Sequence, residues 1–142
     1  MTTRRPVGVI GAGSFGSAIA NLLAENQPVL LYERNKESAD QIRRERRIRN
    51  YELHHHVQVA DSYEQIANEC FLLFPVVPSA FFKSMIIDFS PYLRADHIMI
   101  HATKGLHCEF DIDHADAKSI PNSDGVRVWR AESAPWPRGR DL

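Results

Sequence analysis

Short apolar runs separated by longer mixed stretches dominate the first hundred residues. The runs occupy residues 7–10, 29–33, 57–59, 71–77 and 97–102. Runs this short and this apolar are typical of strands that are buried on both faces of a parallel sheet. Pro75 fits such a central strand poorly, because proline has no N–H group to donate to a neighbouring strand.

The stretches between these runs have the apolar spacing of helices. In the first of them, Phe15, Ile19 and Leu23 recur on one side of a predicted helix, and Asn35 is suited to be the N-cap of the second. The predicted helices cover residues 14–25, 35–49 and 62–69, and a fourth follows a turn in which Ser79 is the expected cap. This alternation predicts an α/β domain with a doubly wound, mostly parallel sheet and helices on both faces.

The pattern weakens after residue 106. Residues 108–116 mix acidic residues with few apolar ones, residues 121–125 have the composition of a turn, and the last ten residues contain two prolines and a glycine. We therefore predict a domain over residues 1–106 and an irregular segment over 107–142, in which residues 126–129 have the pattern of one further strand.

Three glycines follow the first predicted strand at the spacing G-x-G-x-x-G, namely Gly11, Gly13 and Gly16. At this spacing the first permits a tight turn, the second lets the backbone approach a pyrophosphate, and the third lets the helix pack closely on the strand. The helix that begins here would direct free N–H groups and its positive dipole end at the phosphates. The motif predicts a dinucleotide-binding loop of the Rossmann type, with NAD or NADP as cofactor.

The second predicted strand ends on a charged pair, Glu33 and Arg34. Glu33 follows Gly16 by 17 positions, near the place where an acidic residue binds the ribose hydroxyls of a dinucleotide. Arg34 is suited to stack on adenine or to bind a 2′-phosphate, so the pair does not decide between NAD and NADP. The alternative for Glu33 is a solvated charge at a strand end.

Two further candidates follow later strands at the same predicted edge of the sheet. Pro78 lies in the sequence Val-Pro-Ser, where a cofactor contact and a strand-to-helix turn are both reasonable and mutually compatible. Lys104 follows the fifth strand, where an ammonium group is suited to bind a substrate phosphate or to polarise a carbonyl. The alternative for Lys104 is a solvated lysine in a loop.

Composition narrows the partners and the compartment. In 142 residues, 17 Lys and Arg residues against 18 Asp and Glu residues give a net charge of −1, so no general attraction to nucleic acid is expected. No apolar run approaches the roughly 20 residues that a membrane span needs. Cys70 and Cys108 lack metal-ligand spacing, and the N-terminus lacks the apolar core of a signal peptide, so we expect a cytoplasmic protein.

Two local clusters have an ordinary explanation that we favour over a site. Five arginines lie within residues 43–49, and such a run is more typical of a solvated helix face than of a phosphate or nucleic-acid site. His54, His55 and His56 are adjacent, and adjacent side chains are not expected to converge on one ion. We therefore expect an exposed loop cluster and no metal site.

Three motifs, taken in order, resemble the N-terminal domain of NAD(P)-dependent glycerol-3-phosphate dehydrogenase. They are the glycine loop at 11–18, Val-Pro-Ser at 77–79 and Ala-Thr-Lys-Gly-Leu at 102–106. The glycine motif alone is shared by many dehydrogenases, whereas three motifs in this order are much more specific. The similarity covers about residues 7–106. Members of this family reversibly reduce dihydroxyacetone phosphate to sn-glycerol 3-phosphate, chiefly for phospholipid synthesis.

The resemblance implies roles for individual residues. Ser14 and Phe15 are expected to contact the cofactor, Arg34 to lie near its adenosine end, and Lys104 to touch both cofactor and substrate. The chain departs from the family at residues 51–56, where the family has a Leu-Pro segment, and at position 76, where the family has alanine and this chain has valine. The first departure bears on the cofactor contacts of that loop.

The family also has an all-helical C-terminal domain, with a catalytic lysine and the residues that bind glycerol phosphate. Lys118 is the only lysine after Lys104, and its sequence context does not match. The resemblance therefore implies a truncated product or a cofactor-domain fragment without the helical domain. Such a chain would bind a nicotinamide dinucleotide, would use glycerol phosphate or dihydroxyacetone phosphate only with the missing domain supplied, and would be prone to self-association.

Two other functions compete with this hypothesis. The chain would act as a non-catalytic NAD(H)-binding module if the glycine loop only senses the dinucleotide, and a nonfunctional remnant would bind nothing. A dehydrogenase of similar build that acts on another phosphate or acyl substrate is the third possibility. The Thr-Lys-Gly triplet argues against it, through the resemblance alone.

Overall fold

The computed structural model describes residues 4–101, 117–121 and 127–131. Nine strands lie in these ranges: β1 (Val7–Ile10), β2 (Val29–Tyr32), β3 (Arg47–Ile48), β4 (Tyr51–Glu52), β5 (Val57–Val59), β6 (Leu72–Pro75), β7 (Ile98–His101), β8 (Ala117–Pro121) and β9 (Arg127–Ala131). The helices are α1 (Ser14–Ala24), α2 (Lys36–Glu45), α3 (Tyr63–Glu69) and α4 (Ser79–Phe89), and a 3₁₀ turn at Ser90–Tyr92 follows α4.

The sheet has the doubly wound order that the alternation of strands and helices predicts. Seven strands lie in the order β5-β2-β1-β6-β7-β9-β8, and the first five of these are parallel to one another. The chain moves from β1 through β2 to β5, then returns to the other side of β1 to form β6 and β7. Strand order therefore reverses between β1 and β6, and in open α/β sheets ligands bind beyond the carboxyl ends of the strands at such a point.

Helices cover both faces of this sheet, as predicted. On one face Ala20 and Ala24 of α1 and Ile42 of α2 pack on Val9 and Leu31. The opposite face carries the helices α3 and α4, whose apolar residues pack on Ile10, Leu30 and Leu73. Neighbouring residues in a strand point to opposite faces, so each short apolar run supplies both cores at once.

Pro75 is accommodated because it is the last residue of β6. The next residue, Val76, donates its N–H to the Ile10 carbonyl of β1 at 2.7 Å. Alternation along a strand then directs the Pro75 nitrogen toward β7, where the paired register has already ended at Leu73 and Met99. The missing donor therefore costs the sheet no ladder bond.

The second helix is shorter than predicted. It ends at Glu45, and Arg46 adopts a left-handed backbone with φ of 55° while its N–H still bonds the Ile42 carbonyl at 2.8 Å. Residue 48 lies about 240° around a helix from residue 42. A continued helix would have turned Ile48 away from the core, whereas the β3–β4 hairpin buries it.

The helix caps agree with the sequence at one of the two predicted positions. The Asn35 side chain accepts the Ser38 N–H at 2.9 Å, which confirms Asn35 as the N-cap of α2. The prediction for Ser79 is wrong, since α4 begins at Ser79 and its N-cap is Pro78. An unpredicted cap is Ser62, whose hydroxyl accepts the Gln65 N–H at 3.1 Å at the start of α3.

The last two strands extend the sheet with antiparallel pairing. Strand β9 overlaps the strand predicted at 126–129 and pairs with β7, and β8, which the sequence did not indicate, pairs with β9. Within the described ranges no α-helix follows α4. None of the described helices is long and apolar enough to cross a membrane.

Candidate functional site

The turn out of β1 requires glycine at its first position. Gly11 has φ of +117°, a backbone conformation that disfavours a side chain, and a Cβ placed there would lie 2.5 Å from the Val76 carbonyl oxygen. Its N–H donates to the Tyr32 carbonyl at 3.0 Å. Gly11 is therefore held between the ends of β2 and β6, and the chain can turn there only without a side chain.

The third glycine brings α1 against the same turn. A Cβ at Gly16 would overlap the Gly11 carbonyl oxygen. The next residue, Ser17, is buried, and its hydroxyl donates to the Gly13 carbonyl at 2.8 Å and lies 3.0 Å from the Ser14 carbonyl. The first turn of α1 is thus fixed by close packing and by a local hydrogen bond.

The second glycine leaves the start of α1 open. Gly13 is the N-cap, with φ of −77° and ψ of −174°, and nothing lies within 4 Å of a Cβ placed on it. The N-cap forms no side-chain hydrogen bond, and the first turn carries no acidic residue. Its backbone N–H groups and the positive end of the helix dipole therefore face an open approach, which favours an anion. Phe15, in the same turn, is 58% exposed.

The turn after β6 lies beside this loop, as the parallel register requires. Ile10 of β1 is opposite Pro75 of β6, so the residues after both strands lie at one edge of the sheet. The Val77 side chain comes within 3.3 Å of a Cβ placed on Gly11, and Pro78 is exposed next to it. Lys104, predicted for the same edge after β7, lies outside the described residues.

Glu33 follows β2 at the same edge, but its carboxylate already has a backbone partner. Oε1 accepts the Asn35 N–H at 2.9 Å, next to the start of α2. The neighbouring Arg34 is exposed. Glu33 is thus oriented by the helix that follows it, and Arg34 extends into solvent beside it.

A pair of tyrosines packs beneath this edge. Tyr32, the last residue of β2, stacks on Tyr63 of α3 with ring centroids 4.1 Å apart, and Tyr63 also contacts Phe89. Burial raises the pKa of both phenols, so they stay neutral around neutral pH. Both rings pack on the core cluster that Val77 also contacts.

One contact at the glycine loop was not predicted from the sequence, which showed only that arginines are frequent in residues 43–49. Arg49, between β3 and β4, donates from Nη1 to the Ser14 hydroxyl at 2.8 Å. The run as a whole is not the solvated helix face that we expected. Arg43 bonds Asp40 and Asp61, and Arg46 donates to the His54 carbonyl at 2.9 Å.

The three adjacent histidines lie closer together than expected. Their metal-ligating atoms are all within 4.8 Å of one another, so the expectation that they cannot converge is wrong. A turn brings them together, because Val57 donates its N–H to the His54 carbonyl at 2.9 Å. Two of the ring nitrogens also have protein partners: His54 Nδ1 accepts the His56 N–H at 3.1 Å, and His56 Nδ1 lies 3.0 Å from the Ala24 carbonyl. The turn brings the three ligand atoms within 4.8 Å of one another. In a tetrahedral zinc site the ligand nitrogens lie about 3.3 Å apart.

A family model described as NAD-dependent glycerol-3-phosphate dehydrogenase N-terminus matches residues 6–118. The match extends beyond the region of resemblance that the motifs indicate. It includes the glycine loop, the end of β2, the turn after β6 and part of β8.

Individual relatives carry the same description. The glycerol-3-phosphate dehydrogenase [NAD(P)+] of Pseudomonas aeruginosa (strain LESB58) is 35% identical over an alignment of 111 residues, which covers 75% of this chain and 32% of the relative. The enzyme of the same name from Pseudomonas fluorescens (strain SBW25) is 33% identical over an alignment of 114 residues, which covers 77% of this chain and 33% of the relative. The chain thus spans about a third of the length of these relatives.

Solved structures of dehydrogenases and reductases are also similar to this fold. The crystal structure of glycerol-3-phosphate dehydrogenase from Coxiella burnetii superposes with a TM-score of 0.66 at 26% identity, over 72% of this chain and 33% of that one. The pyrroline carboxylate reductase of Plasmodium falciparum, with NADP bound, superposes with a TM-score of 0.51 at 19% identity, over 72% of this chain and 35% of that one. The second likeness concerns the fold alone.

Proposed function

The chain belongs to the family of NAD-dependent glycerol-3-phosphate dehydrogenase N-terminal domains, and we propose from this that it binds a nicotinamide dinucleotide in the crevice between the glycine loop and the turn after β6. The open N-cap at Gly13 carries the proposal, since nothing lies within 4 Å of a Cβ placed on Gly13 and no side chain caps the first turn of α1. A pyrophosphate there would accept hydrogen bonds from backbone N–H groups at the positive end of the helix dipole.

The other contacts follow from their positions along the sheet edge. Glu33, at the end of β2, would bind the ribose hydroxyls of the adenosine half, and its bond to the Asn35 N–H leaves Oε2 for that purpose. Arg34 would lie beside the adenine or a 2′-phosphate. Phe15 and Pro78, both exposed at this edge, would contact the dinucleotide between its two ends.

Discrimination between NAD and NADP is proposed to depend on the pair Glu33 and Arg34. A carboxylate repels a 2′-phosphate, while a guanidinium attracts it. Because Glu33 is held against the start of α2 and Arg34 is exposed beside it, we propose that the site accepts both cofactors.

The reaction proposed for the complete site is the reversible reduction of dihydroxyacetone phosphate to sn-glycerol 3-phosphate, in the cytoplasm and toward glycerophospholipid synthesis. The nicotinamide supplies the hydride, and the protein must position substrate against it. Lys104 is our candidate for touching both cofactor and substrate. The second lysine of the family belongs to a helical domain beyond the matched region. We therefore expect these 142 residues to bind the cofactor without catalysing the reaction. Exposed apolar residues such as Leu22 and Phe81 would also favour self-association.

Two assays on the purified 142-residue chain test this proposal. Titration with NADH, followed by the change in cofactor fluorescence, should saturate. Addition of dihydroxyacetone phosphate should then leave the NADH absorbance unchanged. Robust turnover would contradict the expectation that substrate binding needs a further domain, and the absence of any NADH binding would contradict the proposed function itself.

A non-catalytic NAD(H)-binding module is the second candidate, because the candidate site residues that the structure describes, from Gly11 to Pro78, are all predicted cofactor contacts. It also predicts NADH binding. The two candidates separate when the remaining two thirds of a family enzyme is supplied as a second polypeptide. Restored turnover favours the dehydrogenase, and unchanged binding without turnover favours the module.

A further inference from the structure

We infer that Arg49 binds the pyrophosphate of the dinucleotide; this inference rests on the proposed function and adds to it a residue outside the glycine motif. Arg49 lies 35 positions after Ser14, yet its Nη1 donates to the Ser14 hydroxyl at 2.8 Å. Ser14 is the first residue of α1, next to the open cap at Gly13. The guanidinium therefore lies at the edge of the approach that the phosphates would take.

The hairpin that carries Arg49 is fastened to α1, so this placement does not depend on one contact. The Asn21 side chain donates to the Glu52 carbonyl at 2.8 Å and accepts the His54 N–H at 2.9 Å. The Leu53 N–H also bonds the Arg46 carbonyl at 2.8 Å. The two bonds of Asn21 thus hold the β3–β4 hairpin beside α1, while the bond from Leu53 to Arg46 closes the hairpin itself.

The backbone at Arg49 is itself unusual. Its φ is 53°, in the left-handed region that a long side chain rarely adopts. Ile48 pairs with Tyr51, so Arg49 is the first of two loop residues, and a positive φ at that position is what a tight two-residue hairpin requires. Here that conformation directs the side chain from the hairpin toward the glycine loop.

Charge identifies the expected ligand. Within the described ranges no carboxylate pairs with Arg49, whereas Arg43, in the same basic run, has two such partners, Asp40 and Asp61. The Ser14 hydroxyl is a neutral acceptor and takes one of the five N–H donors that a guanidinium offers. A phosphate oxygen pair would accept two donors at once and carry the opposite charge. Arg49 would exchange the hydroxyl for the pyrophosphate when the cofactor binds.

The position also distinguishes the pyrophosphate from the 2′-phosphate of NADP. Ser14 starts the helix whose N-terminus faces the pyrophosphate in the proposed complex, while the ribose hydroxyls belong to Glu33 at the end of β2. Arg49 should therefore contribute equally to the binding of NADH and of NADPH. A residue for the 2′-phosphate would contribute to NADPH alone.

The test compares Arg49→Gln with the wild-type chain in titrations with NADH, NADPH, ADP and adenosine. Arg47→Gln is the matched control, because Arg47 is exposed in the same hairpin and its side chain has no hydrogen bond or ion pair with the described residues. We expect Arg49→Gln to weaken the binding of NADH, NADPH and ADP by about tenfold each, because one charge-assisted contact is lost. The affinity for adenosine should not change. Arg49→Lys keeps the charge but lacks the planar guanidinium, so its affinity for NADH, NADPH and ADP should lie between those of the wild type and Arg49→Gln.

Each other outcome overturns the inference. Unchanged NADH and ADP affinity in Arg49→Gln would show that the guanidinium does not reach the phosphates, and a loss confined to NADPH would place it on the 2′-phosphate. An equal loss in Arg47→Gln would reduce the effect to net charge. If the wild-type chain binds none of the four compounds, the proposed function fails, and this inference with it.

Discussion

The carbonyl oxygen of Gly11 lies where a Cβ atom on Gly16 would stand, so a methyl group added at Gly16 would overlap that oxygen. Backbone atoms on both sides of the contact leave no flexible side chain to move away. Gly16→Ala should therefore force the loop or α1 to shift and should lower the free energy of unfolding by about 3 kcal/mol. Chemical denaturation followed by circular dichroism measures this loss. A stability equal to that of the wild type would show that the loop and α1 are not packed this closely.

Gly13→Ala is the matched control, since it makes the same change three residues away. Nothing lies within 4 Å of the added methyl group, and the backbone angles of Gly13 suit alanine. Alanine restricts the unfolded chain more than glycine does but is a poorer N-cap, and these two effects oppose each other. The free energy of unfolding should therefore change by less than about 1 kcal/mol. A large loss would mean that Gly13 is needed for the fold.

Arg43 connects the end of α2 to the segment before α3. Its guanidinium lies 2.9 Å from Asp40, 2.7 Å from Asp61 and 3.1 Å from the Ala60 carbonyl. Because these groups are partly solvated, Arg43→Ala should cost about 1 kcal/mol or less in the free energy of unfolding, and the cost should shrink in high salt.

Arg44→Ala is the control for that measurement, as Arg44 is exposed and has no partner among the described residues. Denaturation of both variants at low and high ionic strength gives the comparison. Equal losses in the two variants would rule out a specific role for the contacts of Arg43.

His97 should make the protein less stable in mild acid. It is fully buried, Nδ1 accepts the Arg94 N–H at 2.8 Å, and Nε2 donates to the Ala67 carbonyl at 2.8 Å. Burial lowers the pKa of this imidazole, so the unfolded chain takes up a proton near pH 6.5 before the folded chain does. Stability is then unaffected above about pH 6.5 and falls as the pH drops below it.

His97→Gln removes this titration and keeps a donor for the Ala67 carbonyl. Denaturation between pH 7.5 and about pH 5 should show a steeper fall for the wild type than for the variant, approaching at most about 1.4 kcal/mol per pH unit. The other histidines are common to both proteins and cancel in the difference. Parallel curves would show that His97 does not remain neutral in the folded state.

Much of the fold could be predicted from the sequence because local pattern determines it. The five parallel strands are short apolar runs, and the glycine spacing marks the turn from β1 into α1 directly. Strand β8 could not be predicted in the same way, because Ile120 is its only large apolar residue. Pairing with β9, rather than any run of apolar residues, defines it.

The contacts around the glycine loop depend on the tertiary structure instead. That Arg49 reaches Ser14 follows from α2 ending at Glu45, and the residue that ends it in a left-handed conformation is Arg46 rather than glycine or asparagine. The close approach of the three histidines likewise follows from a turn with no glycine or proline in it. No periodicity in the sequence marks either feature.

Paired titrations of the wild-type chain and Gly13→Ala with NADH test the central claim most directly, because only the loop's open cap differs between the two proteins. We predict saturable binding by the wild type and at least about tenfold weaker binding by the variant, since its methyl group would stand where the backbone must approach the pyrophosphate. Both proteins should unfold at similar denaturant concentrations. Equal NADH affinity in the two folded proteins, or no binding by either, would contradict a dinucleotide site at this loop.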